Sequence, residues 1–136
     1  MNKTLSVILL VVIAGVICGM TFPSQDVNPN GSSELSLLMH SMEQQLKDAK
    51  PGVLAGTYKG TYPSSFDKIY TAVPTDAKTK TENFDIFAGV YLNAVKTFVA
   101  TPKVETYNNV VNTCLACHSQ HCPGPVGRIK KLKIVQ

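Results

Sequence analysis

The stretch VETYNNVVNTCLACHSQHCPGP, residues 104–125, combines a helical apolar pattern with the densest group of reactive side chains in the chain. Side chains suited to a core recur at spacings of three and four: Val104, Tyr107, Val111, Cys114 and His118. This pattern predicts an α-helix from Val104 to His121, with Cys114 and His118 facing the core. The Pro-Gly-Pro run at 123–125 should end it, because proline breaks the helical hydrogen-bond ladder.

Three further segments show helical patterns. The first begins near Ser33 and should end at Pro51-Gly52, with its apolar stripe at Leu35, Leu38, Met39, Met42 and Leu46. The second runs from Ser64 to about Val73, with a stripe at Phe66, Ile69, Tyr70 and Val73. The third runs from about Thr81 to Thr101. No strand pattern of weight is present, so the sequence predicts an all-α domain over residues 33–136, built as an antiparallel four-helix bundle.

The N-terminus has the layout of an export signal. A short positive region and an apolar run from Leu5 to Ile17 precede small residues, so we expect a signal peptide over residues 1–21. An uncleaved membrane anchor is the main alternative, and lipidation at Cys18 is a weaker one. Residues 22–32 are polar and turn-rich, as in a linker. The mature protein is therefore predicted to be periplasmic or otherwise exported.

The charge of the chain excludes one class of partner. With Lys3 set aside, twelve basic and nine acidic side chains give a net charge of +3, which is too small to indicate a nucleic-acid-binding protein. Four of these bases lie within residues 128–133. They predict a solvated tail or, alternatively, a docking patch for an acidic partner.

Cys114-Leu-Ala-Cys117-His118 matches C-x-x-C-H, the pattern that attaches c-type haem. Thiols at i and i+3 of a helix share one face and can reach two vinyl groups on one porphyrin edge. The adjacent histidine can then ligate iron from the proximal side. Two alternatives are weaker: zinc, since one helix cannot wrap four ligands around a small ion, and a redox dithiol, since no βαβ pattern surrounds it.

With these residues in place, the chain from Ser33 to Gln136 resembles the cytochrome c′ family of exported four-helix-bundle cytochromes, which carry C-x-x-C-H near the end of the last helix. The resemblance implies one covalent haem c on Cys114 and Cys117, with His118 as proximal ligand. It also implies that the first helix covers the distal face, and that homodimers can form through the first two helices. Two versions of the family are implied: a five-coordinate form that binds NO or CO, and a methionine-ligated electron carrier.

The first helix offers two candidates for the distal position. Relative to Leu35, Met39 lies about 40° around the helix and Met42 about 20° to the other side, so either can face a haem. The resemblance favours Met39 over Met42, and the alternative is that both methionines only fill the core. His40 lies about 140° away and is expected at the surface; iron ligation by His40, which would require the helix to rotate, is a weaker alternative.

Two residues after the motif have no assigned role in this scheme. Cys122 is the odd thiol, expected to be buried and unreactive or paired with a second chain, and His121 is expected to lie beside the site or at the surface.

The leading interpretation is an electron carrier with redox-protein partners, rather than an enzyme, since no carboxylate–histidine arrangement suggests acid–base catalysis. A gas-binding cytochrome is the first alternative. A structural bundle with zinc or a disulfide, which would be colourless, is the second.

Overall fold

The computed structural model describes residues 33–135, and every regular element in that range is helical. The four α-helices are α1 (Glu34–Leu54), α2 (Phe84–Ala100), α3 (Val104–His121) and the short α4 (Val126–Lys130). Two 3₁₀ helices, Ser64–Tyr70 and Ala77–Thr79, lie between α1 and α2. The prediction of an all-α fold is confirmed for the described residues. The predicted signal peptide, Cys18 and the linker lie outside them.

Helix α1 begins at a side-chain cap. The Ser33 hydroxyl accepts a hydrogen bond from the Ser36 amide at 3.2 Å, which pairs one of the free N–H groups of the first turn. The prediction that this helix ends at Pro51-Gly52 is wrong, since the helix continues to Leu54. Pro51 cannot donate a helical hydrogen bond and its ring crowds the carbonyl four residues earlier, but its own carbonyl still accepts from the Ala55 amide at 3.0 Å. The chain turns back at Gly56, whose φ of 68° is open to glycine at little cost.

The second predicted helix is a 3₁₀ helix, and this changes which residues face the core. A 3₁₀ helix repeats every three residues, so Phe66, Ile69 and then Ala72 share one face and are buried. Tyr70 and Val73, predicted to be in the apolar stripe, are 42% and 60% exposed. The α-helical period of 3.6 was therefore the wrong one for this segment.

Helices α2 and α3 form a hairpin across a three-residue connection and make the most extensive helix contact of the described chain. The observed bounds of α3 agree with those predicted. Helix α1 packs against α3 and the longer 3₁₀ helix. The Tyr107 hydroxyl of α3 lies 3.2 Å from Leu46 O of α1 and 3.1 Å from Leu132 O of the C-terminal segment.

The C-terminal segment is part of the core, which corrects the prediction of a solvated tail. Ile129, Leu132 and Ile134 are buried, while the basic residues among them point outward. Asn108 of α3 holds this segment through two hydrogen bonds, from its amide nitrogen to Ile134 O (2.8 Å) and from the Ile134 amide to its side-chain oxygen (2.9 Å). The alternation of buried apolar and exposed basic side chains explains why the composition suggested a surface segment.

Candidate functional site

A cavity of about 510 Å³ lies between α1, α3, α4 and the connection that contains Ala77–Thr79. Pockets of this size are typical of small-molecule and cofactor sites. Its walls are mainly apolar, with side chains such as Leu35, Leu46, Phe84 and Ile129. The three reactive residues of the C-x-x-C-H motif, Cys114, Cys117 and His118, lie on one wall. The structure therefore places the sequence motif on the wall of an apolar cavity.

The two motif cysteines are neutral thiols in this environment. Burial, with a smaller contribution from Cys117, raises the pKa of the Cys114 thiol to about 12. Burial, followed by Cys122, raises the pKa of Cys117 to about 11. All three cysteines of the described chain are free. Zinc binding and dithiol exchange both require thiolates, so these pKa values weigh against a reactive dithiol.

His118 is buried at 8% exposure and is held at one ring nitrogen. Its Nδ1 lies 3.2 Å from Cys122 O and 3.3 Å from Cys122 Sγ. Burial lowers the pKa of His118, and the nearby Arg128 and His121 add to this, while the bond to Cys122 O opposes it. A neutral ring whose Nδ1–H faces a carbonyl has its lone pair on Nε2, the form in which histidine binds metals.

Helix α1 forms a second wall of the cavity. Its lining residues span about 160° of the helix surface, from Met42 at one edge to His40 at the other, with Met39 and Glu43 nearest the middle. Met42 is buried and Met39 half-buried. His40 is half-buried and lines the cavity, so it lies on the cavity side of α1 rather than facing away from it. The cavity faces the part of the α1 surface between Met39 and Glu43. The angles predicted from the sequence were instead measured from Leu35, which lies nearer one edge of this surface.

Glu43 joins α1 to α4 at the rim of the cavity. Its Oε2 lies 2.9 Å from Arg128 Nε, and its side chain is only 10% exposed. Its Oε1 lies 2.8 Å from Lys47 Nζ, an ion-pair distance without hydrogen-bond geometry. Sequence reasoning did not single out Glu43, and it considered Arg128 only as one of the bases of the C-terminal segment. The signal for Glu43 was its position four residues after Met39, which places both on one helical face.

His121 lies away from the cavity. Its Nδ1 is 3.2 Å from Thr81 Oγ1, and its ring packs edge-on against Phe84 and Phe87 at 5.5 and 5.3 Å. Its role is to join the end of α3 to the start of α2. The contact between Cys122 and His118 was also missed, although their spacing of four residues is that of side chains that meet on a helix.

Comparison of the chain with family models, with curated proteins and with solved structures gave no match. Within residues 33–135, no three or more His, Cys, Asp or Glu side chains are grouped so that they could hold a metal ion. None of the helices in this range is both long and apolar enough to cross a bilayer.

Proposed function

We propose that this protein is an exported monohaem c-type cytochrome that transfers single electrons, with a cytochrome c′-like bundle in which the 3₁₀ helix Ser64–Tyr70 replaces the second α-helix. One observation carries the proposal: a C-x-x-C-H motif on the wall of an apolar cavity of about 510 Å³. Neither the motif nor the cavity would be sufficient alone. A short motif occurs by chance, and an apolar cavity can take many ligands.

The residues present fit a covalently bound haem. Cys114 and Cys117 are one turn apart on α3 and both line the cavity as free thiols, so they can form two thioether bonds on one porphyrin edge. His118 is neutral with Nδ1 partnered, which leaves Nε2 for iron. A haem held there supplies a one-electron iron couple, which the polypeptide lacks.

The chain's own residues would then control access to the site. Leu35, Leu46 and Phe84 keep the cavity apolar and exclude water. Met39, near the middle of the α1 arc, is the better candidate for the distal position, and Met42 at its edge is the second choice. A thioether from either residue would raise the reduction potential and compete with small ligands for the iron, which suits an electron carrier.

A cluster of cations beside the cavity supports a protein redox partner with an acidic surface. This basic face consists of Lys47, Lys50, Arg128 and Lys131, which line one pocket, together with Lys130 and Lys133, their exposed neighbours in the chain. A shallow pocket between α1 and the C-terminal segment shares Glu43, Arg128 and Leu132 with the cavity wall. A partner bound there would lie next to the cofactor, and complementary charge would speed association.

The first test is the optical spectrum of the full chain, purified from a host that attaches c-type haem. We expect a Soret band and haem that stays with the denatured polypeptide. Cys114→Ala with Cys117→Ala should release the haem on denaturation, whereas Cys122→Ser, the matched cysteine control, should retain it. A colourless wild-type protein from such a host would refute the proposal.

Addition of CO to the reduced protein separates the two versions of this function. A low-spin spectrum unchanged by CO supports the methionine-ligated carrier, and Met39→Ala should then make the protein reactive toward CO, more so than Met42→Ala. A high-spin wild-type spectrum that CO converts would instead identify the NO- or CO-binding form.

The basic face can be tested with an anionic oxidant. Oxidation of the reduced protein by ferricyanide at low ionic strength should slow several-fold in a Lys130→Glu, Lys131→Glu double variant. Lys68→Glu with Lys78→Glu, which make the same charge change outside the basic face, should have a smaller effect. Equal slowing in both double variants would show that only net charge matters.

A further inference from the structure

Cys122 makes three contacts with His118. It is the C-cap of α3, with φ −157° and ψ 81°, and its amide donates to His118 O at 3.1 Å. Its carbonyl oxygen lies 3.2 Å from His118 Nδ1 and its sulfur 3.3 Å from the same atom. Pro123 disfavours helical backbone at the residue before it, so Cys122 leaves the helix here and its carbonyl and side chain both meet the imidazole.

These contacts determine whether Nδ1 carries the ring hydrogen. The carbonyl can only accept a hydrogen bond, so it keeps the single ring hydrogen on Nδ1. The sulfur is a weak second acceptor for the same hydrogen. Cys122 is half-buried and lines the cavity, so its side chain also occupies space that water would otherwise share with Nδ1.

We infer that Cys122 is a positioning residue for the iron ligand: its carbonyl and thiol together fix the tautomer and rotation of His118, and the thiol sets how strongly the ring donates electrons through Nε2. This inference rests on the proposed function, because it takes His118 as the haem ligand. It assigns Cys122 a role other than an unreactive core thiol or a disulfide to a second chain.

The direction of the effect follows from acceptor strength. A stronger acceptor at Nδ1–H makes the imidazole a better donor, which stabilises the oxidised and more positive iron and lowers the reduction potential. A serine hydroxyl accepts more strongly than a thiol, and valine does not accept at all but has a similar volume. The expected order of midpoint potentials is therefore Cys122→Ser lowest, wild type next and Cys122→Val highest.

The experiment is a spectroelectrochemical titration of the full-length holoprotein and its variants, with optical spectra to confirm that coordination is unchanged. Ser119→Ala is the matched control, because Ser119 is an exposed neighbour whose hydroxyl bonds only to Leu115 O within the described residues. The midpoint potential of Ser119→Ala should equal that of the wild type. If Cys122→Ser and Cys122→Val titrate as wild type, or shift the potential in the same direction, the thiol has no electronic role and the inference is wrong.

A second measurement needs no variant that could fail to fold. In the reduced wild-type protein, with CO added if a diamagnetic state is needed, ¹⁵N NMR should find His118 Nδ1 protonated, with its hydrogen protected from exchange and close to the Cys122 β-hydrogens. A freely exchanging hydrogen would overturn the inference. Wild-type protein without a Soret band would overturn it together with the proposed function, whereas a Soret band with unchanged potentials would overturn this inference alone.

Discussion

At the scale of single residues, Tyr107 connects three parts of the chain. It is fully buried, packs edge-on against Phe98 at 5.7 Å, and its hydroxyl reaches carbonyls of α1 and of the C-terminal segment. Burial of a phenol is favourable only when its hydroxyl is hydrogen-bonded. The position therefore favours tyrosine over phenylalanine.

We predict that Tyr107→Phe lowers the free energy of unfolding by about 1–2 kcal/mol, because it leaves the Leu132 carbonyl without its hydroxyl donor. Chemical denaturation measures this loss. Tyr70→Phe is the control, since Tyr70 is exposed, and it should change stability by less than about 0.5 kcal/mol. Equal stability of both variants would mean that the buried hydroxyl makes no net contribution.

Ionisation of Tyr107 should lower the stability of the protein at alkaline pH. Burial, and to a lesser extent Cys114, raises the pKa of Tyr107 to about 12, whereas an unfolded tyrosine titrates near 10. Between these values the folded state binds more protons, so stability falls as pH rises, by up to about 1.4 kcal/mol per pH unit. Tyr107→Phe should show a shallower decline between about pH 10 and 12, measured by denaturation at each pH. Parallel curves would contradict this.

At the scale of secondary structure elements, Gly56 decides how α1 ends. Its φ of 68° lies in the left-handed region, and a Cβ added there would meet no atom within 4 Å. A substitution at this position therefore costs only backbone strain. Gly127 in α4 has equally open space but no positive φ, which makes it a matched comparison.

We predict that Gly56→Ala destabilises the protein by about 1 kcal/mol, while Gly127→Ala leaves it unchanged or stabilises it by up to about 1 kcal/mol. Thermal unfolding of the two variants tests this directly. A stabilising Gly56→Ala would show that the turn relaxes out of the left-handed region.

The ion pair between Glu43 and Arg128 is the other element-scale feature, because it ties α1 to α4 at the cavity rim. A double-mutant cycle of Glu43→Gln and Arg128→Ala should give a coupling energy of about 0.5–1 kcal/mol. The value should fall at high salt, since Arg128 is partly exposed. Lys130→Ala in place of Arg128→Ala should show no coupling with Glu43→Gln.

At the scale of the whole molecule, the C-terminal segment completes both the core and the site. Leu132 lines the cavity, and Ile134 packs into the core beside Asn108. Val135, the next residue, is 91% exposed. Ile134 and Val135 are adjacent and both β-branched, but only Ile134 is buried. Comparing variants at the two positions therefore isolates the effect of burial on stability.

We predict that Ile134→Ala costs about 2–4 kcal/mol of unfolding free energy, whereas Val135→Ala costs less than about 0.5 kcal/mol. Equilibrium denaturation of the two variants provides the comparison. Similar small losses in both would show that this segment is not part of the cooperative core.

Much of the fold followed from periodicity. The α3 stripe was long enough for the 3.6-residue period to place Tyr107 and Val111 in the core, where they lie, and the segment from Thr81 to Thr101 was long enough to be recognised as a helix. The segment at Ser64–Tyr70 was too short for this, because over seven residues periods of 3.0 and 3.6 both match its apolar side chains. The C-terminal segment was misread because its bases outnumber its buried residues, and composition does not say which side chains face inward.

The sequence by itself determined the all-α class, because its apolar residues recur at helical spacings in several segments. It also determined the bounds of α3 and the grouping of Cys114, Cys117 and His118, because these depend on spacings within one helix. Only the tertiary structure decided which part of α1 faces that group, that Glu43 and Arg128 meet at its rim, and that Cys122 holds His118 Nδ1. The first two are set by how separate elements pack. The third depends on backbone angles at a single residue, which a pattern of residue types does not specify.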